Sequence, residues 1–160
     1  MELRPPRHRV SPRAIRYWAV RALPGWLVLV AAQVLWWVVS SDLLTWHIAG
    51  LAVTGALAAL HLTVMPRWRY RVHRWEITDE AVYTQVGWFS QEWRIAPLSR
   101  IQTVDTKRGP IETVFGLANV TITTASAAGP LTLEGLERSV ALEVSDLLTA
   151  RTHALAADAT

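Results

Sequence analysis

Basic side chains are the residues of this chain whose type and spacing could bind a ligand. Arginines recur at close intervals in "PRWRYRVHR", residues 66–74, and Lys107 and Arg108 stand together just before Gly109 and Pro110. Cationic groups near a membrane surface attract anionic lipid headgroups and donate hydrogen bonds to them. The sequence therefore gives these candidate ligand or lipid contacts: Arg69, Arg71, Arg74, Lys107 and Arg108.

Side chains for catalysis or metal binding show no recognised arrangement. The chain has no cysteine, which excludes disulfides, thiolate metal sites and cysteine nucleophiles. Its five histidines are scattered without the spacing of metal ligands. Its serines lack the context of a nucleophile elbow, and no glycine-rich phosphate loop is present. We therefore expect no enzyme activity, no metal and no cofactor.

Two long uncharged runs occupy the first half of the chain. Residues 23–40 and 43–65 contain no charged side chain, and only Ser41 and Asp42 separate them. A helix of about 20 residues crosses the ~30 Å hydrocarbon core of a bilayer. The sequence predicts a transmembrane helical hairpin over residues 23–65, with spans at about 23–40 and 44–65.

The charges on either side of the hairpin predict its orientation. Arginines crowd residues 1–22 and the segment after Met65, whereas the turn carries only Asp42. The positive-inside rule places both termini in the cytoplasm of a two-pass protein in the cell (inner or plasma) membrane. A cleaved signal peptide is disfavoured because a second span follows at once. Residues 1–22 are predicted as a basic cytoplasmic N-terminal segment. Residues 11–23 are either a basic helix on the membrane surface or a stretch whose arginines only fix the topology.

The spans also carry aromatic and polar side chains. Trp18 and Trp26 flank one end of the first span, as expected of a belt at the membrane interface. Gln33 and His61 lie within the spans, where polar residues are uncommon. A Gln33–His61 hydrogen bond would join the two helices, and proton or ion handling is the alternative role.

The remainder of the chain predicts a small β domain at residues 70–152. Six short segments alternate apolar and polar residues and are separated by turn residues. The period then changes to that of an amphipathic helix, with Ser139 as a candidate N-cap. Its apolar stripe consists of Val140, Val144, Leu147 and Leu148. We expect an antiparallel β-barrel or sandwich closed by this C-terminal helix, and a flexible tail at 153–160. The domain lacks a basic stripe, which disfavours nucleic-acid binding.

The segment around Gly109 and Pro110 is interpreted as a corner between two strands. Four apolar residues after the break are available for the core: Ile111, Val114, Phe115 and Leu117. Within this segment, only Lys107 and Arg108 remain candidates for contact with a ligand or lipid.

The order of these features resembles the bacterial pleckstrin-homology (PH) family of YdbS-like membrane proteins. The similarity rests on "IT" before an acidic turn at 77–80, on "IAPL" and "RIQTV" at 95–104, and on "GPI" and "FGLA" at 109–118. The resemblance implies two transmembrane helices followed by one PH-like domain. The fold class is then a membrane α hairpin plus a mainly-β (α+β) domain.

Three functions are compatible with the residues and the resemblance. The first is a protein-interaction or assembly module held at the membrane, binding a protein partner or a second copy of the chain. The second is binding of anionic lipid headgroups by the PH-like domain. The third is an accessory subunit of a transporter or membrane enzyme.

Overall fold

Two long helices form the predicted membrane hairpin. The computed structural model describes residues 4–40, 42, 44–126 and 129–158. Helix α1 spans Arg13–Val39 and helix α2 spans Leu44–Val72, and the two pack antiparallel. Both helices are long and apolar enough to cross a membrane.

Helix α1 begins ten residues before the predicted span. Its first turns carry Ala14, Tyr17 and Trp18 on one face, at the i, i+3 and i+4 spacing of a helix stripe. All three are buried in the core of the β domain. Residues 13–22 are therefore neither a surface helix nor only a topology signal. Trp18 lies in the domain core, so its predicted place in an interfacial belt is wrong.

Helix α2 also continues past its predicted end. It runs to Val72, so residues 70–72, predicted as part of a strand, are helical. Met65, Pro66 and Val72 are buried along this extension. Only His73 separates the end of α2 from the first residue of the next strand. Both helices therefore enter the β domain without a flexible linker.

Within the described residues, seven antiparallel strands form two sheets. The first sheet has the order β1-β2-β3-β4, and the second has the order β5-β6-β7. The strands are β1 His8–Arg9, β2 Arg74–Ile77, β3 Ala81–Gly87, β4 Gln91–Pro97, β5 Ile101–Lys107, β6 Leu117–Thr124 and β7 Leu131–Glu137. Both sheets contribute to one core, with Val82 from the first and Val120 and Ile122 from the second fully buried. The sheets do not close into a barrel, so the fold is an open sandwich.

The predicted corner is a short helix, α3, at Pro110–Phe115. Gly109 precedes it, Pro110 occupies its first turn, and Gly116 ends it in the left-handed conformation at φ 68°. The predicted core role is wrong for Val114, whose side chain is 81% exposed. In the helix, Val114 points away from the core against which Ile111 and Phe115 pack. Ile111 and Phe115 pack partly against the core, as expected.

Helix α4, Arg138–Asp158, covers the core. It follows β7 directly, so Ser139 lies inside the helix and is not its N-cap. The buried stripe is Ala141, Val144 and Leu148, whereas the predicted Leu147 is exposed. The tail predicted at 153–160 differs as well, since residues 153–158 continue α4 and residues 159–160 lie outside the described residues.

A close backbone approach joins the start of α1 to β7. The Ser11 N–H donates to the Gly135 carbonyl at 2.9 Å, and the Gly135 N–H donates to Asn119 Oδ1 at 2.9 Å. Gly135 has φ 73°, and a Cβ there would lie 3.0 Å from the Ala14 Cβ. Glycine is therefore required at this position by conformation and by space.

Candidate functional site

Arg69, the first candidate ligand contact, is half-buried and has its partners within the fold. Its Nη2 lies 3.1 Å from Glu134 Oε2, and its guanidinium stands over the Trp18 ring at 4.5 Å from the centroid. A guanidinium stacked on indole and paired with a carboxylate has its charge satisfied within the fold. We therefore assign Arg69 to holding α1, α2 and β7 together.

Arg71 and Arg74 are separated from each other by the end of α2. Arg71 is exposed on the last turn of the helix, and Arg74 is half-buried on β2. Arg74 Nη1 lies 3.5 Å from the Pro6 carbonyl of the N-terminal segment. Arg71 is the member of this group that faces solvent.

Lys107 and Arg108 lie elsewhere, at the end of β5. Both are exposed, and Arg108 Nη2 donates to the Thr113 carbonyl of α3 at 3.4 Å. Within the described residues, no hydrogen bond, ion pair or shared pocket joins this pair to Arg69, Arg71 or Arg74. Arg69, Arg74 and Arg108 each have a separate partner within the fold.

The polar residues within the spans contact partners other than the predicted ones. Gln33 Nε2 donates to Thr54 Oγ1 at 2.8 Å, and Trp26 Nε1 donates to His61 Nδ1 at 2.9 Å. The predicted Gln33–His61 bond is therefore wrong, because the two residues lie at different depths of the antiparallel pair. Each bond joins α1 to α2, which is the role of interhelical hydrogen bonds in membranes.

A cleft that the sequence did not indicate opens between the two sheets. One part, of about 320 Å³, lies between β4, β7 and the end of α2, and is lined by Arg69, Glu92, Arg94 and Glu134 among others. A second part, of about 280 Å³, lies along β4 towards the connection between β6 and β7. We call both parts together the β4–β7 cleft.

Arg94 crosses the β4–β7 cleft between its two parts. Its Nη1 donates to the Pro130 carbonyl at 2.7 Å and its Nη2 to the Gly129 carbonyl at 2.8 Å. Its Nε lies 3.5 Å from Glu92 Oε1 on the same strand. The wall of the cleft thus carries both signs of charge along β4.

Strand β4 is the outer strand of its sheet. Within the described ranges it pairs with β3 alone. Its outward face presents Trp93, 41% exposed, and Ile95, 50% exposed. Its other face presents Glu92 and Arg94 to the cleft, and Trp93 and Ile95 also line the second part of the cleft.

His73 lies at the inner end of the cleft, beside Trp18. Burial and, to a smaller extent, the nearby Arg69 guanidinium lower the pKa of His73 to about 4, although the contact of His73 Nδ1 with the Arg69 carbonyl at 2.9 Å acts in the opposite direction. The ring is therefore neutral at physiological pH. A neutral, buried imidazole packed 5.0 Å from the Trp18 ring serves the core.

The described residues hold no group suited to metal binding. Among them, no three His, Asp or Glu side chains lie together closely enough to bind an ion. Two features of the described β domain are accessible to a ligand or partner: the outer edge of β4 with its cleft, and the exposed cations Arg71, Lys107 and Arg108.

Two comparisons relate the chain to known proteins. It is 27% identical over 129 residues to the UPF0699 transmembrane protein YdbS of Bacillus subtilis (strain 168), covering 76% of this chain and 78% of that protein. No solved structure matches the chain. The sequence model described as "Bacterial PH domain" matches residues 14–152, which include both long helices, the two sheets and most of α4. The chain is a membrane protein and belongs to the bacterial PH domain family.

Proposed function

We propose that the chain is a non-enzymatic, membrane-anchored module that binds a protein partner on the cytoplasmic face of the cell (inner or plasma) membrane. The arginines of residues 1–22 and 67–74 lie at one end of the hairpin, and Asp42 lies at the other. The positive-inside rule supports cytoplasmic termini and a cytoplasmic PH domain.

The outer edge of β4, unpaired within the described residues, is the observation that carries the proposal. An outer strand offers unpaired N–H and C=O groups on which an extended peptide can add as a further strand. Side chains of an added strand alternate between the two faces of the sheet. One face would meet Trp93 and Ile95, and the other would meet the cleft with Glu92 and Arg94. The partner segment is therefore extended, with apolar side chains alternating with polar or charged ones.

The direction of β4 favours a different protein over a second copy of this chain. Gln85 pairs with Arg74, just past the end of α2, whereas the Trp88 carbonyl accepts a hydrogen bond from Trp68 within α2. Strand β3 thus runs along α2 towards the bilayer, and β4 runs away from it. Two copies paired edge to edge and antiparallel through β4 would point their membrane hairpins in opposite directions. Copies in one bilayer share one orientation, so this symmetric pairing is unavailable to them.

Site-specific photocrosslinking of the full chain in cell membranes tests this proposal. Benzoylphenylalanine in place of Trp93 should give an adduct with another protein, and the same group in place of the exposed Glu143 on α4 should not. The added substitution Ile95→Lys should reduce the adduct at position 93, because it places a charge on the apolar face of the edge. Equal adducts at 93 and 143, or adducts only of twice the chain mass, would contradict the proposal.

Binding of anionic headgroups is the second candidate function. It is supported by the exposure of Lys107 and Arg108 beside α3 and of Arg71 at the end of α2. In liposomes containing the full chain, the double variant Lys107→Ala with Arg108→Ala should reduce enrichment of anionic lipid around the protein, measured with a spin-labelled phosphatidylglycerol. Equal enrichment for the double variant and the parent chain would contradict a specific role for this pair.

An accessory role in a transporter or membrane enzyme is contained in the first proposal. Such a role requires the partner captured at β4 to be that transporter or enzyme. Mass spectrometry of the position 93 adduct distinguishes this case from a partner of another kind.

A further inference from the structure

The turn between β3 and β4 presents two aromatic side chains beside α2. Phe89 is 93% exposed, and the neighbouring Trp88 is exposed over nearly half of its surface. With Val64 and Trp68 of α2 they line an apolar depression of about 280 Å³. We call these four residues the aromatic tip. An exposed apolar patch of this kind marks a contact with a partner or with lipid.

The two helices show where the bilayer surface lies. Arg21 is the last charged residue before the uncharged run of α1, and Arg67 is the first one after the run of α2. The bond between Trp26 and His61 and the stacking of Arg69 on Trp18 each bring residues of equal height together. Because α1 and α2 are antiparallel, each residue forward along α1 corresponds to one residue back along α2. Arg21, three residues after Trp18, therefore lies level with Pro66, three residues before Arg69. Both helices therefore leave the hydrocarbon at the same height, as two spans of one membrane must.

The aromatic tip lies at that height. Trp68 Nε1 donates to the Trp88 carbonyl at 2.8 Å, just outside the boundary. The Trp88 ring lies 6.0 Å from the ring of His61, which stands six residues inside the boundary set by Arg67. At 1.5 Å per residue, His61 is roughly 9 Å deeper than Arg67. The Trp88 ring thus extends to the level of the uncharged part of α2.

We propose that Trp88 and Phe89 insert into the boundary between lipid headgroups and acyl chains, as a third membrane contact besides α1 and α2. Lipid is the occupant of this patch because the patch is continuous with the surface that α2 presents to the bilayer, where Leu60 and Val64 are exposed. Tryptophan is enriched at this depth, since its ring is apolar and its N–H is polar. The inference is independent of any partner bound at β4.

If Trp88 and Phe89 insert, they would hold the turn between β3 and β4, and with it the edge of β4, at a fixed distance from the bilayer. Gln91 would be the end of β4 nearest the membrane and Pro97 the end farthest from it. The seven residues of β4 would then extend roughly 20 Å into the aqueous phase, at about 3.3 Å per residue.

A single nitroxide label tests the insertion. The chain contains no cysteine, so Phe89→Cys and Ser99→Cys each provide one thiol in the full chain, which is reconstituted in phosphatidylcholine–phosphatidylglycerol liposomes. Ser99 is an exposed control just past the far end of β4. At position 89 we expect relaxation by oxygen, which partitions into lipid, to exceed relaxation by a water-soluble nickel chelate. At position 99 we expect the reverse. Nickel access at 89 equal to that at 99 would overturn the proposal, as would low access of both reagents at 89, which would indicate a protein contact.

A charge substitution gives an independent readout that does not depend on the label. Phe89→Asp changes a fully exposed side chain, and Val114→Asp on α3 is a matched exposed control. In liposomes, amide hydrogen exchange at the turn should rise about tenfold in the Phe89 variant and stay unchanged in the Val114 variant. Unchanged exchange at the turn of Phe89→Asp would overturn the insertion.

Discussion

Replacing Trp18 by Ala tests whether the start of the first membrane helix is part of the PH-domain core. The Trp18 side chain is 1% exposed, and it is among the largest fully buried side chains of the described residues. Its ring supports the Arg69 guanidinium at 4.5 Å and packs 5.0 Å from the His73 ring. The substitution therefore removes contacts between α1, the end of α2 and the sheets at once.

The expected loss in the free energy of unfolding follows from the size of the Trp18 side chain and from the Arg69 guanidinium stacked on it. Truncation of a buried Phe or Trp to Ala costs about 3–5 kcal/mol. The loss of the stacked guanidinium, worth ~1–2 kcal/mol, places the cost near the upper end of that range. Single domains are stable by about 5–15 kcal/mol, so the variant should lose a third or more of its free energy of unfolding.

Urea-dependent pulse proteolysis of the full chain in liposomes measures this loss. Trp46→Ala is the matched control, since Trp46 is largely exposed on the membrane helix α2, and its effect should stay below about 1 kcal/mol. A Trp18→Ala effect within 1 kcal/mol of the control would refute a core role for the α1 extension. A fragment of residues 70–152 that folds cooperatively would refute it equally, because that fragment lacks Val10, Ala14, Tyr17 and Trp18 of the core.

Three further predictions concern His73, Gly135 and Gln33. Because the pKa of His73 is about 4 in the fold and 6.5 when unfolded, the unfolded chain alone takes up a proton between these values. The free energy of unfolding should therefore fall by roughly 3 kcal/mol from pH 6.5 to pH 4, and urea titrations of His73→Phe should lack this component. Gly135→Ala should destabilise the domain by about 2 kcal/mol or more and Gly129→Ala by about 1 kcal/mol in the same assay. Both glycines have positive φ, but only the Cβ at 135 meets a neighbour. Gln33→Leu should weaken helix pairing by only about 0.6 kcal/mol, measured by steric trapping in bicelles, because membrane hydrogen bonds contribute little net energy. A loss above about 2 kcal/mol would contradict this small contribution.

The hairpin and the order of the β domain could be predicted because their signals are local. Long uncharged runs and alternation of apolar with polar residues depend on neighbours within one element. The helix α3 had a local signal as well, in the Gly109–Pro110 start and the Gly116 end, but the segment was interpreted as an irregular corner. Its six residues are too few for a helical period to stand out.

Long-range packing decided the features that the sequence did not indicate. A Trp beside a basic segment fits a membrane interface as well as a protein core, and only the contacts of Trp18 with Arg69 and His73 distinguish the two. The sequence likewise does not indicate that Arg69 forms a partly buried ion pair with Glu134. Which strand lies at a sheet edge depends on the pairing of all strands, so the role of β4 could not be predicted from "QEWRIAP" alone.

The direct continuation of both helices into the PH domain restricts how the domain can move. Val72 ends α2 and Arg74 starts β2, while Tyr17 and Trp18 of α1 are buried in the core. Rotation of the domain relative to the helices would expose these side chains at a cost of several kcal/mol. Tilting the helices within the bilayer costs only fractions of a kcal/mol per Å of mismatch. A force applied at the edge of β4 would therefore tilt α1 and α2 before it separated them from the domain.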